Sequence, residues 1–403
     1  MPSSAPNPLG IYLSIPFCKS KCSYCNFASG VFGSDRMSAY VDRLIQEIRA
    51  SDPRTQQCSA FLSSTVDSLY FGGGTPSLLS PQQMHRILQA IQEAFSFAPQ
   101  TEMTLECAPG QLNDALLESL PSVGFNRASL GVQSFVDQEC AAVGRLHTRA
   151  ITAAQIASLR TAGIDDINVD LIAGLPHQTP ESWQISVAEA IATGVSHLSV
   201  YMLDVDEDSR LGREMLAGGT RYHAANVPGE SAIAEMYAHA CESFAAAGIA
   251  QYEISNFARP GRESRHNLKY WTRQPYLGFG LDAHSFLNTQ NGGEIRINTT
   301  DDLTAYMDRT APETIVPISN TEAIEEAWFL GLRLSAGIFL PAMEHKIGPE
   351  AMSAFRPVLE ECQQQGLLEC IDDHVRLTSH GRLFANEVFA RFIGVLSVEG
   401  VSA

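Results

Sequence analysis

Short apolar runs alternate along the first half of the chain with longer segments in which apolar residues recur every three or four positions. The short runs predict buried strands, and the longer segments predict amphipathic helices. We expect strands at residues 10–17, 66–71, 102–107, 127–133, 166–172 and 197–203. We expect the main helices at about 35–50, 81–95, 113–120, 149–162, 180–192 and 230–247. Strands separated in this way by helices are typical of a parallel sheet.

Six strand–helix units predict an α/β fold, which we interpret as a partial (β/α)6 barrel over about residues 10–215. Polar side chains in such a barrel should cluster at the carboxyl ends of the strands. Short strands and turns over 216–310 predict a bridging region. From residue 311 the order helix, helix, hairpin, helix predicts a winged-helix-like α+β domain. The predicted domains are therefore 1–215, 216–310 and 311–403.

The charge balance narrows the classes of partner. The 403 residues include 45 acidic and 27 basic side chains, for a net charge of −18. An acidic surface repels phosphate backbones, so we expect no nucleic-acid partner. No apolar run is long enough to span a membrane, and the N-terminus lacks the features of a signal peptide. These observations favour a cytoplasmic protein, and they leave a homodimer open.

Three of the nine cysteines are grouped in a loop that follows the first predicted strand. They are Cys18, Cys22 and Cys25, spaced four and then three residues apart. Three neighbouring thiolates need a soft cation, and iron–sulfur clusters are held by such ligands. A 4Fe–4S cubane held by three cysteines has one iron without a protein ligand, and this iron can hold a substrate. A zinc ion, a disulfide and unpaired thiols are the alternatives, although structural zinc prefers four protein ligands.

The cysteine spacing, with Tyr24 immediately before the third cysteine, resembles the radical SAM enzymes. In that family S-adenosylmethionine (SAM) chelates the open iron through its amino and carboxylate groups. The resemblance implies that Gly73, Gly74 and Thr75, in the glycine run after the second strand, contact the methionine moiety of SAM. It also implies that Tyr12 and Tyr24 lie near the nucleoside and the cluster, as in the coproporphyrinogen-oxidase-like branch.

Four further polar residues match that branch, at or just beyond strand ends: Glu106, Gln133, Arg145 and Asp170. The resemblance implies that Arg145 meets the SAM carboxylate while Glu106 and Asp170 hold the ribose hydroxyls. A structural salt bridge between Arg145 and one of the two carboxylates is the alternative, because a buried carboxylate needs a partner.

Two departures set the chain apart from the anaerobic coproporphyrinogen oxidases. Phe27 stands where those enzymes carry a further cysteine, and only 11 residues precede Tyr12 where they have a long N-terminal extension. Both departures argue against the oxidase reaction.

A His-Asn-x-x-Tyr-Trp stretch at residues 266–271 resembles instead the radical SAM haem chaperones. The resemblance implies a protein that binds haem, a 4Fe–4S cluster and SAM, and that hands haem to membrane haemoproteins such as respiratory oxidases. The alternatives are an oxygen-independent coproporphyrinogen III dehydrogenase of porphyrin biosynthesis, or a radical SAM enzyme acting on another tetrapyrrole.

Four residues of this stretch are candidates for contacting haem: His266, Asn267, Tyr270 and Trp271. A histidine can ligate iron, and two aromatic rings can cover a porphyrin face. Because the stretch follows Gly261 and precedes Pro275, we expect it on an accessible surface loop. Packing of the aromatic residues beneath a loop is the alternative. His284 is a second candidate histidine.

Overall fold

Six parallel strands, β1–β6, form the centre of the molecule and follow one another in sheet order. The computed structural model describes residues 7–398, apart from the side chains of residues 53, 54, 397 and 398. Most of the N-terminal stretch that was considered for a signal peptide lies outside this range. The strands are β1 Leu9–Ile15, β2 Thr65–Gly73, β3 Ser96–Cys107, β4 Arg127–Gln133, β5 Asp166–Ala173 and β6 His197–Met202.

Helices follow these strands close to the predicted positions. They are α1 Ser34–Arg49, α2 Ser51–Gln57, α3 Pro81–Ala94, α4 Asp114–Ser119, α5 Asp137–Ala142, α6 Arg149–Thr161, α7 Pro180–Ala192, α8 Arg210–Leu216 and α9 Glu230–Ala246. The start of α3 shows why such helices were predictable. Ser80 and Gln83 form a reciprocal capping box and Pro81 occupies the first turn, where its missing N–H is not needed. The short helices α2, α5 and α8 were not predicted.

Residues 250–318 extend the same sheet at both edges and add two short helices. The elements are β7 Ala250–Glu253, β8 Asn256–Ala258, α10 Arg265–Trp271, β9 Tyr276–Phe279, β10 His284–Asn288, β11 Glu294–Asn298, α11 Leu303–Asp308 and β12 Thr314–Ile318. β9 runs parallel to β1 and pairs residues 276–279 with 10–13. The sheet therefore has twelve strands among the described residues. The expected bridging region is continuous with the barrel sheet, and the domain boundaries stay predictions.

The C-terminal domain has its own apolar core around Trp328 and Phe355, both fully buried. Its elements are α12 Asn320–Arg333, β13 Ile338–Phe339, α13 Leu340–Ile347, α14 Pro349–Gln364, β14 Leu368–Ile371, β15 His374–Leu377, α15 Ser379–Leu383, α16 Ala385–Ala390 and α17 Val395–Val398. Helix α13 was not predicted, and the expected final helix is divided into α15 and α16.

The predicted fold class is confirmed: an α/β partial barrel followed by a C-terminal α+β domain. Within residues 7–398, no helix combines the length and apolar composition that crossing a membrane requires.

Candidate functional site

The cysteine loop follows β1 at the carboxyl end of the barrel strands. The N–H of Cys18 donates to Gly30 O at 2.9 Å and the N–H of Gly30 donates to Pro16 O at 2.9 Å, so the two ends of the loop are joined. The N–H of Ser23 donates to Val143 O at 3.1 Å, which fastens the middle of the loop to the segment after β4. All nine cysteines lie in the described range and are free thiols.

The glycine run after β2 packs directly against this loop. Gly73 has a φ of +100°, which a residue with a side chain rarely adopts. A Cβ on Gly74 would lie 2.7 Å from Phe17 O and 2.8 Å from Ile15 O, so any side chain there would force the strands apart. Thr75 donates its N–H to Phe17 O at 2.7 Å, and its hydroxyl lies 3.8 Å from the Cys18 sulfur. The run therefore fixes the start of the cysteine loop.

A cavity of about 460 Å³ opens above the strand ends. Eleven of the residues predicted from the sequence line it: Cys18, Cys22, Tyr24, Cys25, Gly73, Gly74, Thr75, Glu106, Gln133, Arg145 and Asp170. These residues are spread over more than 150 positions of the sequence, and the parallel strands bring them together at one end of the barrel. Their individual binding roles stay predictions.

Two carboxyl groups, those of Glu106 and Asp170, line this cavity. The Tyr70 hydroxyl donates to Glu106 Oε1 at 2.9 Å. The pKa of Glu106 is raised to about 7, mainly by burial; the hydrogen bond from Tyr70 acts to lower this pKa, and the nearby Asp170 acts to raise it. Asp170 accepts from Asn168 Nδ2 at 2.7 Å and from Ser129 Oγ at 3.2 Å. Burial also raises the pKa of Asp170, while such hydrogen bonds counteract the rise.

Gln133 and Arg145 are held beside the carboxyl groups with unused hydrogen-bonding capacity. Gln133 is buried, its φ is +70°, and its Oε1 has no partner. A left-handed residue other than glycine costs on the order of 1–3 kcal/mol, and such strain is concentrated at functional sites. Arg145 donates from Nη2 to Gly131 O at 2.5 Å, and its Nε lacks a partner. Among the described residues it forms no ion pair within 4.0 Å with Glu106 or Asp170, so the structural salt bridge is not observed.

Sequence reasoning missed the polar residues that support the two carboxylates. Tyr70, Ser129, Asn168, Ser199 and Tyr201 line a second, polar cavity of about 60 Å³. It shares Glu106 and Asp170, among other residues, with the larger cavity. The signal was present in the sequence, because polar residues recur at every second position of otherwise apolar strands β4–β6.

The His-Asn-x-x-Tyr-Trp stretch forms helix α10, so the expected surface loop was wrong. Ser264 caps the helix by accepting from the Asn267 N–H at 3.3 Å, and Glu102 on β3 accepts from the N–H groups of Arg265 and His266, both at 3.1 Å. The side chain of Lys269 donates to Pro8 O at 2.8 Å. Helix α10 therefore lies at the amino end of β1, whereas Cys18 follows its carboxyl end.

His266 is only 1% exposed, and both of its ring nitrogens have partners. Nδ1 is 3.0 Å from Ser68 Oγ, and Nε2 is 2.8 Å from the Tyr270 hydroxyl. The pKa of His266 is lowered to about 3, mainly by burial and in addition by the charge of Lys269. The ring is therefore neutral, and neither nitrogen is free to bind iron in this arrangement.

The other candidates near α10 are also absent from the lining of the cysteine-lined cavity. Tyr12 stacks on Tyr70 with 6.0 Å between ring centroids and is absent from the cavity lining. Asn267 borders the second, polar cavity of about 60 Å³. The Trp271 ring lies 4.2 Å from the guanidinium carbon of Arg333 and so joins α10 to α12. His284 is half exposed on β10 and pairs with Asp282, at 3.8 Å.

The residues at the cavity fit an iron–sulfur cluster better than a single metal ion. Within residues 7–398, no three His, Cys, Asp or Glu side chains are arranged to hold one metal ion. In a cubane, by contrast, each thiolate binds a different iron. Cys18, Cys22 and Cys25 border one cavity, and Gln133 and Arg145, each with a buried polar atom that lacks a partner, line the same cavity.

Comparison with known proteins identifies the class first. Residues 12–189 match the model of the radical SAM superfamily, and residues 318–384 match the HemN C-terminal domain. The coproporphyrinogen III oxidase HemN of Escherichia coli, described as a radical SAM enzyme, has the same fold, with a TM-score of 0.81. At 23% identity over 97% of this chain and 91% of that one, the likeness concerns the fold alone. A radical SAM domain implies a 4Fe–4S cluster and SAM.

Relatives at higher identity define the family. The Bacillus subtilis protein named heme chaperone HemW is 34% identical over 96% of this chain and 99% of its own length. The Escherichia coli protein of that name is 30% identical over 96% and 98%. A mouse protein, radical S-adenosyl methionine domain-containing protein 1, mitochondrial, is 31% identical over 84% and 76%. The chain belongs to the HemW heme-chaperone family of radical SAM proteins.

Proposed function

We propose that this protein is a haem chaperone that carries a 4Fe–4S cluster on Cys18, Cys22 and Cys25 and binds SAM above it. The single observation that carries the SAM and cluster proposal is the cavity in which eleven predicted residues meet. The names of the family's members supply the haem proposal. We propose that the protein acts in the cytoplasm and delivers haem to membrane haemoproteins such as respiratory oxidases.

Different residues of the cavity would bind different parts of the SAM molecule. The backbone of Gly73 and Gly74, together with Thr75, would contact the methionine moiety beside the cysteine loop. Arg145 keeps its charge, because the guanidinium group stays protonated in proteins, and it would meet the SAM carboxylate. Glu106 and Asp170 would accept hydrogen bonds from the ribose hydroxyls, and each such charge-assisted bond is worth roughly 1.5–3 kcal/mol. Gln133 would use its free Oε1 on the same ligand.

Haem binding by the α10 stretch stays a prediction with a structural obstacle. His266 would have to give up Ser68 and Tyr270 before its ring could bind iron. Tyr270 and Trp271 already pack against Tyr276 and Arg333. The contacts favour a structural role for the stretch.

The second candidate function is the oxygen-independent dehydrogenation of coproporphyrinogen III, which the shared fold with HemN keeps in view. Phe27 argues against it, since it stands 63% exposed where the oxidases carry a cysteine. A cysteine-specific step at that position is therefore closed to this chain.

Two assays on one anaerobic preparation separate these functions. The reconstituted protein is loaded with haem and mixed with a haem-free acceptor haemoprotein, and transfer is followed by the acceptor's spectrum. The same preparation is given coproporphyrinogen III, SAM and a reductant. We expect transfer without decarboxylation. Multiple turnovers of coproporphyrinogen without haem transfer would reverse the assignment.

A further inference from the structure

A pair of histidines lies outside the site described above, on two loops at the carboxyl side of the barrel. His177 follows β5, and His223 belongs to the long segment 203–229 between β6 and α9. His177 Nε2 and His223 Nδ1 are 3.0 Å apart, and the N–H of His177 donates to Asn226 O at 2.9 Å. The imidazole pair therefore connects the two loops.

The pairing leaves one imidazole nitrogen available for a ligand. A neutral imidazole has one N–H and one lone pair, so when His223 Nδ1 donates to His177, His223 Nε2 is an unprotonated acceptor. Among the described residues, His223 Nε2 has no hydrogen-bond partner, and the His223 side chain is exposed. Histidines that ligate metals commonly donate their other N–H to a neighbouring acceptor, which fixes the tautomer and the ring orientation. His177 would provide that acceptor.

The backbone around the pair is strained. His177, Tyr222 and His223 all have positive φ, at 70°, 56° and 58°. Each such residue costs on the order of 1–3 kcal/mol, and strain of this kind is concentrated at functional sites. Two consecutive left-handed residues turn the Tyr222 and His223 side chains onto the exposed surface of the segment.

The surroundings suit a flat ligand with an apolar face and negative groups. Leu216 and Tyr222 are 69% and 37% exposed. Segment 203–229 carries three arginines, at 210, 213 and 221, and five acidic residues, four of which precede residue 209, so the arginines are concentrated in the part of the segment that contains His223. The acidic residues earlier in the segment include Asp204 and Asp206, which border the SAM cavity. Porphyrin propionates are carboxylates, which arginine recognises.

We propose that His223 is an axial ligand of the haem iron and that His177 orients it. The inference rests on the proposed haem-chaperone function and deepens it by naming the ligand. Haem would lie over the exposed face of segment 203–229. α8, in the same segment, contacts the cysteine loop through the Leu211 N–H, which donates to Ser23 O at 2.8 Å. Exchange at this exposed surface suits a cargo that must be released.

The test compares haem with iron-free protoporphyrin IX as ligands of the cluster-loaded full-length protein. Binding is read as a difference spectrum against the same protein without porphyrin, and bound haem is quantified after gel filtration. For the parent we expect haem to bind at least tenfold more tightly than the iron-free porphyrin. His223→Ala should abolish that preference, and His177→Ala should reduce it three- to tenfold. His85→Ala, an exposed histidine on α3, is the matched control and should leave it unchanged.

Imidazole rescue gives a second readout. In His223→Gly, added imidazole should restore the parent's haem spectrum, whereas cluster iron and SAM binding should be normal throughout. A His223→Ala protein that keeps the parent's haem preference and spectrum would refute the inference while leaving the chaperone function standing. A parent that binds no haem at all would remove the chaperone function, and this inference with it.

Discussion

Replacing His266 by alanine tests whether the His-Asn-x-x-Tyr-Trp stretch has a structural role or binds haem. The substitution leaves the Ser68 hydroxyl, which is fully buried, without its partner at 3.0 Å, and it frees the Tyr270 hydroxyl. Each unpaired buried group costs about 1–3 kcal/mol. Loss of the ring contact with Tyr70, at 5.3 Å between centroids, adds roughly 0.5–1.5 kcal/mol. We therefore expect the free energy of unfolding at pH 7.5 to fall by about 3–5 kcal/mol.

The pH dependence of this difference is a sharper test. The pKa of His266 is about 3 in the folded protein because of burial, and it lies near 6.5 in the unfolded chain. The unfolded state therefore binds a proton that the folded state does not, and the parent loses stability as the pH falls from about 6.5 toward 3. The alanine variant lacks this term. The stability gap between parent and variant should narrow by about 1.4 kcal/mol from pH 7.5 to pH 5.5.

Urea unfolding followed by near-ultraviolet circular dichroism measures both quantities. His266→Asn, whose amide can still face Ser68, should lose about half as much stability. His85→Ala should stay within about 0.5 kcal/mol of the parent, as exposed substitutions usually do. In folded His266→Ala protein, haem affinity should match that of the parent. A variant of unchanged stability that has lost haem binding would show that the structural reasoning is wrong.

Three further predictions concern the cavity. Replacing Cys18, Cys22 or Cys25 by serine should remove most of the bound iron, measured by iron analysis after reconstitution. The Cys58→Ser variant should keep its iron. Gly74→Ala should also lower iron content, since its Cβ would meet Phe17 O at 2.7 Å, and a fully loaded variant would contradict that reading. The affinity for SAM, measured by isothermal titration calorimetry, should rise as the pH increases through about 7, because Glu106 ionises there. The Glu106→Gln variant should bind SAM more weakly and without that rise. A parent affinity that does not change with pH would count against the proposed role of Glu106 in binding the ribose.

The barrel was predictable because its information is local. The apolar run at 66–71 and the Ser80–Pro81 start of α3 each specify their own structure, and the parallel order then places the strand ends at one rim. Strand order and cysteine spacing located the site, whereas the resemblance to the radical SAM family supplied the choice of most cavity residues. The polar residues behind Glu106 and Asp170 could have been found from alternation along β4–β6.

Helix α10 was harder to predict, because distant residues add to its local N-cap, Ser264, whose hydroxyl accepts from the Asn267 N–H at 3.3 Å. Its N-terminal N–H groups are satisfied by Glu102, on a strand more than 160 positions earlier, and His266 is paired with Ser68. Seven residues are too short to form a stable helix from propensity alone. The location of a histidine near Gly261 and Pro275 therefore gave no indication that tertiary contacts would bury it.

The pairing of β1 with β9 has a consequence for how the protein is made on the ribosome. β1 and the cysteine loop are synthesised first, but the strand that covers the other side of β1 lies at Tyr276–Phe279. At ~5–20 residues per second, the nascent chain would carry β1 with one open edge for on the order of ten to fifty seconds. During that interval the three thiols are already outside the exit tunnel while the barrel is unfinished. If the cluster is inserted only after the chain leaves the ribosome, it is not bound to a sheet that still lacks strands.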